Sequence, residues 1–449
     1  MEISNKRIGT DGIAGRRIMN LYGIRIEVTF LSIISSCYVA MLYLGIPNAI
    51  TLSLLASVCL SLIIYEKTRR EIYKKLELSH WRRRLQRALQ HQPYGIRLHF
   101  PKVNRVEHTT VGTKLFLTIR SGATAEDYEK VGPYLAVFFR IESALVIQNQ
   151  TDASQIEITL RRINPLELPA SQFPAIDNFK SSCWKPIPIG TDQVGRIVHY
   201  ELFENNLLIG GAPGSGKTAV LTNLLLSTAS DPKCTIFLFD PKEVDLAVFA
   251  HDAFRYVSTD ITKAVETLIA IRTIMDSTYS KLKQARLRKL NRDGNIGITL
   301  VIIDELPFYV NHQNKEQAKA FTETLRDIIS RGRACGISVV LVAQKPSAEN
   351  VPTSIRDLVN CRIAMWSTTD EASNTVLGTS SASKGFSAAA LNENVTGVGW
   401  LKNKGDTPIL FRTYWVDDEA LRDLSINISE ARSKRAQMQS PREKVEGDR

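Results

Sequence analysis

The chain has 449 residues, 44% hydrophobic and 23% charged, a globular composition that excludes collagen-like, mucin-like and wholly disordered classes. Its 57 Lys and Arg against 46 Asp and Glu leave a net charge of +11. That balance suits an anionic partner such as nucleic acid or a membrane surface, and equally a basic surface that is merely solvated. The six cysteines form no C-x-x-C pair and have no histidines nearby, which argues against a disulfide framework or a zinc site and for a reducing compartment.

In chain order, residues 1–27 are a basic amino-terminal segment (Lys6, Arg7, Arg16, Arg17, Arg25). Residues 28–65 then read as a transmembrane hairpin: Val28 to Ile46 and Ala49 to Tyr65 are free of charge, and Pro47-Asn48 turns between them. Each run approaches the roughly 20 residues that a helix needs to cross hydrocarbon. Basic residues flank the hairpin on both sides, with Lys67, Arg69, Arg70, Lys74, Lys75 and Arg82 to Arg84 on its carboxyl side. The positive-inside bias therefore predicts a multi-pass protein of the cell membrane, with its amino terminus and main body in the cytoplasm. The competing reading is a buried soluble helical hairpin. Residues 66–95 are expected to be a basic juxtamembrane helix that meets anionic lipid, meets DNA, or only signals topology.

Residues 96–170 shift to short alternating segments. Lys114 to Ile119 and Gln155 to Leu160 alternate as half-buried strands do, and Ala125 to Ile141 reads as an amphipathic helix, which together predict a small α+β domain. Prolines 165, 169, 174, 186 and 188 mark a connector.

Residues 171–425 carry the chemistry. Gly211-Ala212-Pro213-Gly214-Ser215-Gly216-Lys217-Thr218 matches G-x-x-x-x-G-K-[ST], preceded by an apolar strand-like run and followed by a helix-like one. Glycines let such a loop wrap a phosphate with its N–H groups pointing inward, at a helix amino terminus. Lys217 is then expected to reach the β- and γ-phosphates of ATP, and the Thr218 hydroxyl to bind Mg²⁺. Thr299 to Ile303 is an apolar run of the kind buried parallel strands show, ending in Asp304 and Glu305. Asp304 is expected to hold the metal's coordination shell and Glu305 to polarise the attacking water, with Asp304 on a strand neighbouring the phosphate loop. A glutamate after the aspartate favours an ATPase of the motor type over a GTPase. Cys234 to Phe239 and Ile337 to Ala343 are further strands, and Gln344 at the end of the second suits a γ-phosphate sensor or an incidental polar cap. The alternation of strands and helices predicts an α/β, RecA-like, doubly wound parallel sheet with the ligand at the strands' carboxyl ends. The basic run Lys281 to Lys289 reads either as a phosphate grip or as a solvated helix face.

These residues in this order resemble the FtsK/SpoIIIE family of membrane-anchored DNA-translocating ATPases. Beyond the phosphate loop, the resemblance rests on Phe239-Asp240-Pro241-Lys242-Glu243-Val244-Asp245-Leu246, Arg331 to Ile337, Ala343 to Ser347, Cys361 to Ala364 and Gly397 to Leu401. It implies a homo-hexameric ring with ATP between subunits and duplex DNA in the channel. It also implies an arginine from the neighbouring subunit, for which Arg333 and Arg362 are the candidates; a further position where relatives carry arginine is Asn374 here. The family's sequence-reading winged helix is not expected after Asp418, and residues 426–449 read as a charged, disordered tail. The layout is similar to the coupling and transfer motors of conjugative elements, whose partners are a relaxase and channel proteins. Chromosome segregation and, in a different class, protein export by a specialised secretion ATPase are the alternatives.

Overall fold

The computed structural model describes residues 71–426 apart from 95, 97, 110, 121, 150, 174–181, 251–254, 292–296 and 424. The expected membrane hairpin at 28–65 and the charged tail lie outside the described residues. No helix among the described residues is long and apolar enough to cross a membrane.

The first described element, α1, is helical over 71–90. Trp81, Leu85, Ala88 and Leu89 recur at helical spacing and are buried, while Arg82, Arg83, Arg84 and Arg87 stay exposed. A four-stranded sheet comes next, built from β1 (Lys102–His108), β2 (Gly112–Thr118), β3 (Ser143–Gln148) and β4 (Gln155–Arg161) in the order β1-β2-β4-β3. Helix α2 (Ala125–Phe139) lies between β2 and β3 in the chain. The strands expected at Lys114 to Ile119 and Gln155 to Leu160 and the helix expected from Ala125 all form.

The second sheet is larger. In chain order it contains β5 (Ile187–Asp192), β6 (Ile197–Tyr200), β7 (Leu207–Gly210), β8 (Cys234–Phe239), β9 (Arg255–Val257), β10 (Ile298–Ile303), β11 (Ile337–Ala343), β12 (Cys361–Met365), β13 (Val398–Asn403) and β14 (Ile409–Thr413). Its spatial order is β6-β5-β14-β13-β12-β7-β11-β10-β8-β9. The helices are α3 (Lys217–Thr228), α4 (Ile261–Gln284), α5 (Leu306–Val310), α6 (Lys315–Arg331), α7 (Thr353–Arg356) and α8 (Asp370–Leu377).

A uniformly parallel sheet is not what forms. From β12 through β7, β11, β10 and β8 to β9 the strands are parallel, but β13, β14, β5 and β6 join antiparallel. The parallel half follows from composition: every residue of β7, β10 and β11 is buried, and strands covered on both faces read as unbroken apolar runs. Helix α3 is buried nearly all round, as a helix without a polar face must be. The antiparallel half comes from strands whose burial is interrupted. One buried polar hub ties the centre: Asn206 donates to the Ile329 carbonyl at 3.2 Å and accepts from the Val339 N–H at 2.9 Å.

Candidate nucleotide site

The site is built where β7 gives way to α3. Gly214 and Gly216 have φ of 74° and 103°, left-handed values that a side chain tolerates poorly, and they turn the loop back on itself. The ammonium of Lys217, a buried side chain, donates to the loop's own carbonyls, at 3.0 Å to Gly211 and 2.7 Å to Ala212. Burial is the main reason its pKa falls to about 8, with the nearby Lys242 adding to the effect. An ammonium held short of full solvation, inside a ring of backbone, gains by meeting an anion. Ser215 Oγ is buried without a hydrogen-bond partner in the protein, and Thr218 is half-buried on the first turn of α3. Pro213 and Gly214 are exposed at the loop's crest.

The carboxylates lie two strands away. β7 pairs with β11 through Gly210 and Ala343, and β11 pairs with β10 through Leu341 and Ile303. The expected direct adjacency of the Asp304 strand to the phosphate loop is therefore corrected. β11 is interposed, which separates the two strand axes by ~10 Å. That distance leaves room for phosphate and metal between loop and carboxylate. It also brings half-buried Gln344, the first residue after β11, to the carboxyl edge between the two.

Asp304 is buried, its backbone N–H donates to the Phe239 carbonyl at 2.9 Å, and its Oδ2 has no hydrogen-bond partner in the protein. Burial raises its pKa from 3.8 to about 6, against the pull of Lys242. A buried, unpartnered carboxylate oxygen is costly unless a ligand completes it. A hard divalent ion brought in by nucleotide phosphates needs only one or two protein oxygens, so Asp304 Oδ2 and the Thr218 hydroxyl fit Mg²⁺. Among the described residues no group of three or more His, Cys, Asp or Glu could hold a metal by itself. Glu305 stands in the left-handed region at φ 60°, ψ 61°, and its Oε2 lies 3.5 Å from the Lys242 ammonium.

The raised pKa fixes the sign of a stability effect. The fold favours the protonated form of Asp304, so its ionisation costs stability, and the cost is present in full once pH exceeds the window from 3.8 to about 6. Asp304→Asn is expected to raise the Tm of the nucleotide-free protein above that window by about 2–5 °C, and less as pH falls through it. Thermal melts across pH check this.

Residues 179–384 match the family model described as FtsK/SpoIIIE family. The nucleotide-binding domain resembles the FtsK/SpoIIIE family. The chain is 27% identical to the DNA translocase FtsK of Borreliella burgdorferi over 220 residues, 44% of this chain and 27% of that protein. It is 28% identical to the DNA translocase FtsK of Corynebacterium efficiens over 225 residues, 44% of this chain and 23% of that protein. The chain thus spans about a quarter of the length of these relatives. Among solved structures, the pCW3 conjugation coupling protein TcpA, in a monomer form with ATPγS, aligns over 74% of this chain and 94% of its own with a TM-score of 0.53 at 16% identity. ATPases 2 and 3 of EssC from Geobacillus thermodenitrificans align over 61% of this chain and 53% of their own, with a TM-score of 0.50 at 17% identity. At these identities the likeness is one of fold: a P-loop ATPase fold on a mixed sheet.

The two arginines singled out in the sequence do not join the phosphate loop. β12 runs parallel to β7 with Arg362 opposite Leu208, so Arg362 sits toward the strands' amino ends. There it lines a cavity of about 920 Å³ together with Arg331, Arg333, Lys402 and Lys404. Arg362 donates to the carbonyls of Val359, Val376 and Arg356, and Arg331 is neutralised by Asp327 and Asp276, whereas Arg333 is exposed. Asn374 braces a loop, accepting the Ala382 N–H at 2.9 Å. In the run 281–289, Lys281 and Lys283 occupy the last turn of α4, where they complement its dipole, and Lys289 pairs with Glu204 at 2.9 Å.

The domain also uses residues whose part in the site no sequence motif announced. The Ala212 N–H donates to the Trp366 carbonyl at 2.8 Å, and the Gly397 N–H donates to the Ser215 carbonyl at 3.0 Å. A Cβ on Gly216 would come within 2.7 Å of Gly397 Cα, so the residues just after β12 and just before β13 press directly on the back of the phosphate loop. Only the glycine at 397, with φ 90°, hinted at this. Gly397→Ala would meet Thr413 Cγ2 at 3.0 Å in a left-handed conformation. A strain of about 1–2 kcal/mol there is expected to push the loop out of shape and weaken ATP binding by about tenfold. Titration with a fluorescent ATP analogue measures it.

Proposed function

We propose that this chain is a membrane-anchored, ATP-driven DNA translocase that acts as a coupling or transfer motor in conjugation. The observation that carries the reading is the buried, unpartnered Asp304 Oδ2 at the same sheet edge as a phosphate loop whose lysine is desolvated. The match of residues 179–384 to the FtsK/SpoIIIE model and relatives that are DNA translocases support DNA as the substrate. The fold shared with a conjugation coupling protein supports conjugation over chromosome segregation. The charge-free runs at 28–65 support the anchor, and a net charge of +11 suits a polyanionic cargo.

In this reading the backbone N–H groups of residues 211–218 and the Lys217 ammonium hold the phosphates. Thr218 and Asp304 would hold Mg²⁺, which would supply positive charge to offset that of the phosphates. Glu305 takes the proton of the attacking water, and Gln344, at the edge between loop and carboxylates, senses the γ-phosphate. Arg333 and Arg362, facing the opposite strand ends, act on the neighbouring subunit's nucleotide in a homo-hexamer. Relaxase and channel proteins are the expected partners.

Arg333→Ala and Lys217→Ala subunits are each expected to be inactive alone. Mixed together they should regain hydrolysis, because one supplies the nucleotide site and the other the arginine. No recovery on mixing contradicts action between subunits. The function itself is tested with the full chain in detergent: ATP-dependent displacement of a third strand from duplex DNA is expected. Hydrolysis driven by a protein substrate and indifferent to DNA would favour the export reading.

A further inference from the structure

The segment Asp240 to Leu246 carries a lysine to which nucleotide binding and hydrolysis as proposed assign no role. We infer that Lys242 is a positioning residue that aims the Glu305 carboxylate for hydrolysis; this rests on the role proposed for Glu305. The turn that carries Lys242 is fixed at its root. Asp240 is fully buried at the end of β8, and its carboxylate accepts the N–H groups of Lys242 at 3.2 Å, Glu243 at 3.1 Å and Leu246 at 3.1 Å, and the Tyr256 hydroxyl at 3.0 Å. Four donors on one buried carboxylate leave the turn little freedom. Because Phe239 pairs with Ile303, the turn rises beside Asp304 and Glu305.

From that fixed base the Lys242 ammonium reaches Glu305 Oε2 at 3.5 Å, an ion-pair distance too long for a well-formed hydrogen bond, and the oxygen has no hydrogen-bond partner in the protein. Glu305 also holds a left-handed backbone conformation that a non-glycine residue adopts only when its surroundings impose it. The carboxylate is therefore steered by charge while the hydrogen-bonding capacity of Oε2 stays unspent. With side chains 35% and 20% exposed, the pair adds little to stability, so its value lies in orientation.

The test uses the full chain and compares Lys242→Met, Lys242→Arg and Glu305→Gln. Lys242→Met is expected to lower kcat for ATP by about tenfold or more, with KM and fluorescent-nucleotide affinity kept within about twofold. Lys242→Arg should restore most of the rate, since it returns the charge. In the Glu305→Gln background Lys242→Met should change nothing further, because its effect passes through Glu305. An unchanged kcat in Lys242→Met, a raised KM at constant kcat, or an equal loss in the Glu305→Gln background overturns the assignment. Thermal melts identify a misfolded variant, and Lys242→Arg then carries the test: a rate as low as that of Lys242→Met in a folded protein also overturns it. A wild-type protein that does not hydrolyse ATP fails the functional reading and this one with it. Wild-type hydrolysis with an indifferent Lys242→Met fails this one alone.

Discussion

Replacing Glu305 by glutamine is expected to reduce ATP turnover by about 10²–10³-fold while ATP still binds. The exchange keeps the size of the side chain and removes only its charge and its ability to take a proton. It should not disturb the fold. The left-handed backbone at 305 is imposed by the turn into α5 and is available to Gln as it is to Glu. The ion pair lost with Lys242 is only partly buried and, at 3.5 Å, adds little to stability. The phosphate loop is untouched, so equilibrium binding of a fluorescent ATP analogue should match wild type, and the variant should collect in its ATP-bound form. A turnover rate within tenfold of wild type would show that Glu305 does not handle the proton.

Lys217→Ala should fail one step earlier, at binding. Its ammonium is the charge that the loop holds in reserve: buried, donating to the Gly211 and Ala212 carbonyls, with a pKa pulled down to about 8. Bound phosphate would replace those carbonyl contacts with a charge-assisted pair and favour the charged form of the lysine. Removing it leaves phosphate with backbone N–H donors alone, a loss of about 3 kcal/mol or more for a charged hydrogen bond, which corresponds to at least about 10²-fold in affinity. The same low pKa predicts that the variant is no less stable than wild type without nucleotide. Below the window from about 8 to 10.5 the wild-type fold bears the cost of a buried cation, a cost that is relieved as pH rises through the window. Titration with a fluorescent nucleotide and a thermal melt separate the two effects.

The phosphate loop, the strand before it and the run ending at Asp304 were legible because their physics is local. A buried parallel strand is a run of apolar residues, and a phosphate loop is glycines at fixed offsets before a helix. Neighbour relations are not local in this sense. Nothing in the residues of β11 says that it inserts between β7 and β10, yet that insertion sets the gap across which loop and carboxylate face each other and brings Gln344 into it. The antiparallel strands β13, β14, β5 and β6 were under-read because burial along them is interrupted, so no unbroken apolar run announces them. Arg333 and Arg362 could be picked out as cations, but the end of the sheet they face depends on strand direction, which periodicity does not encode. Gly397 and Lys242 belong to the site through contacts that cross more than sixty residues of chain, Gly397 through Ser215 and Lys242 through Glu305.

The measurement that bears most directly on the DNA-motor reading is the ATPase rate of the full chain in detergent, with no DNA, with duplex DNA and with single-stranded DNA, at fixed salt. DNA is expected to raise the rate, Lys217→Ala and Glu305→Gln to abolish the rise, and added salt to weaken it as phosphate contacts are screened. A rate that neither form of DNA changes, in a protein that otherwise hydrolyses ATP, would contradict a DNA motor.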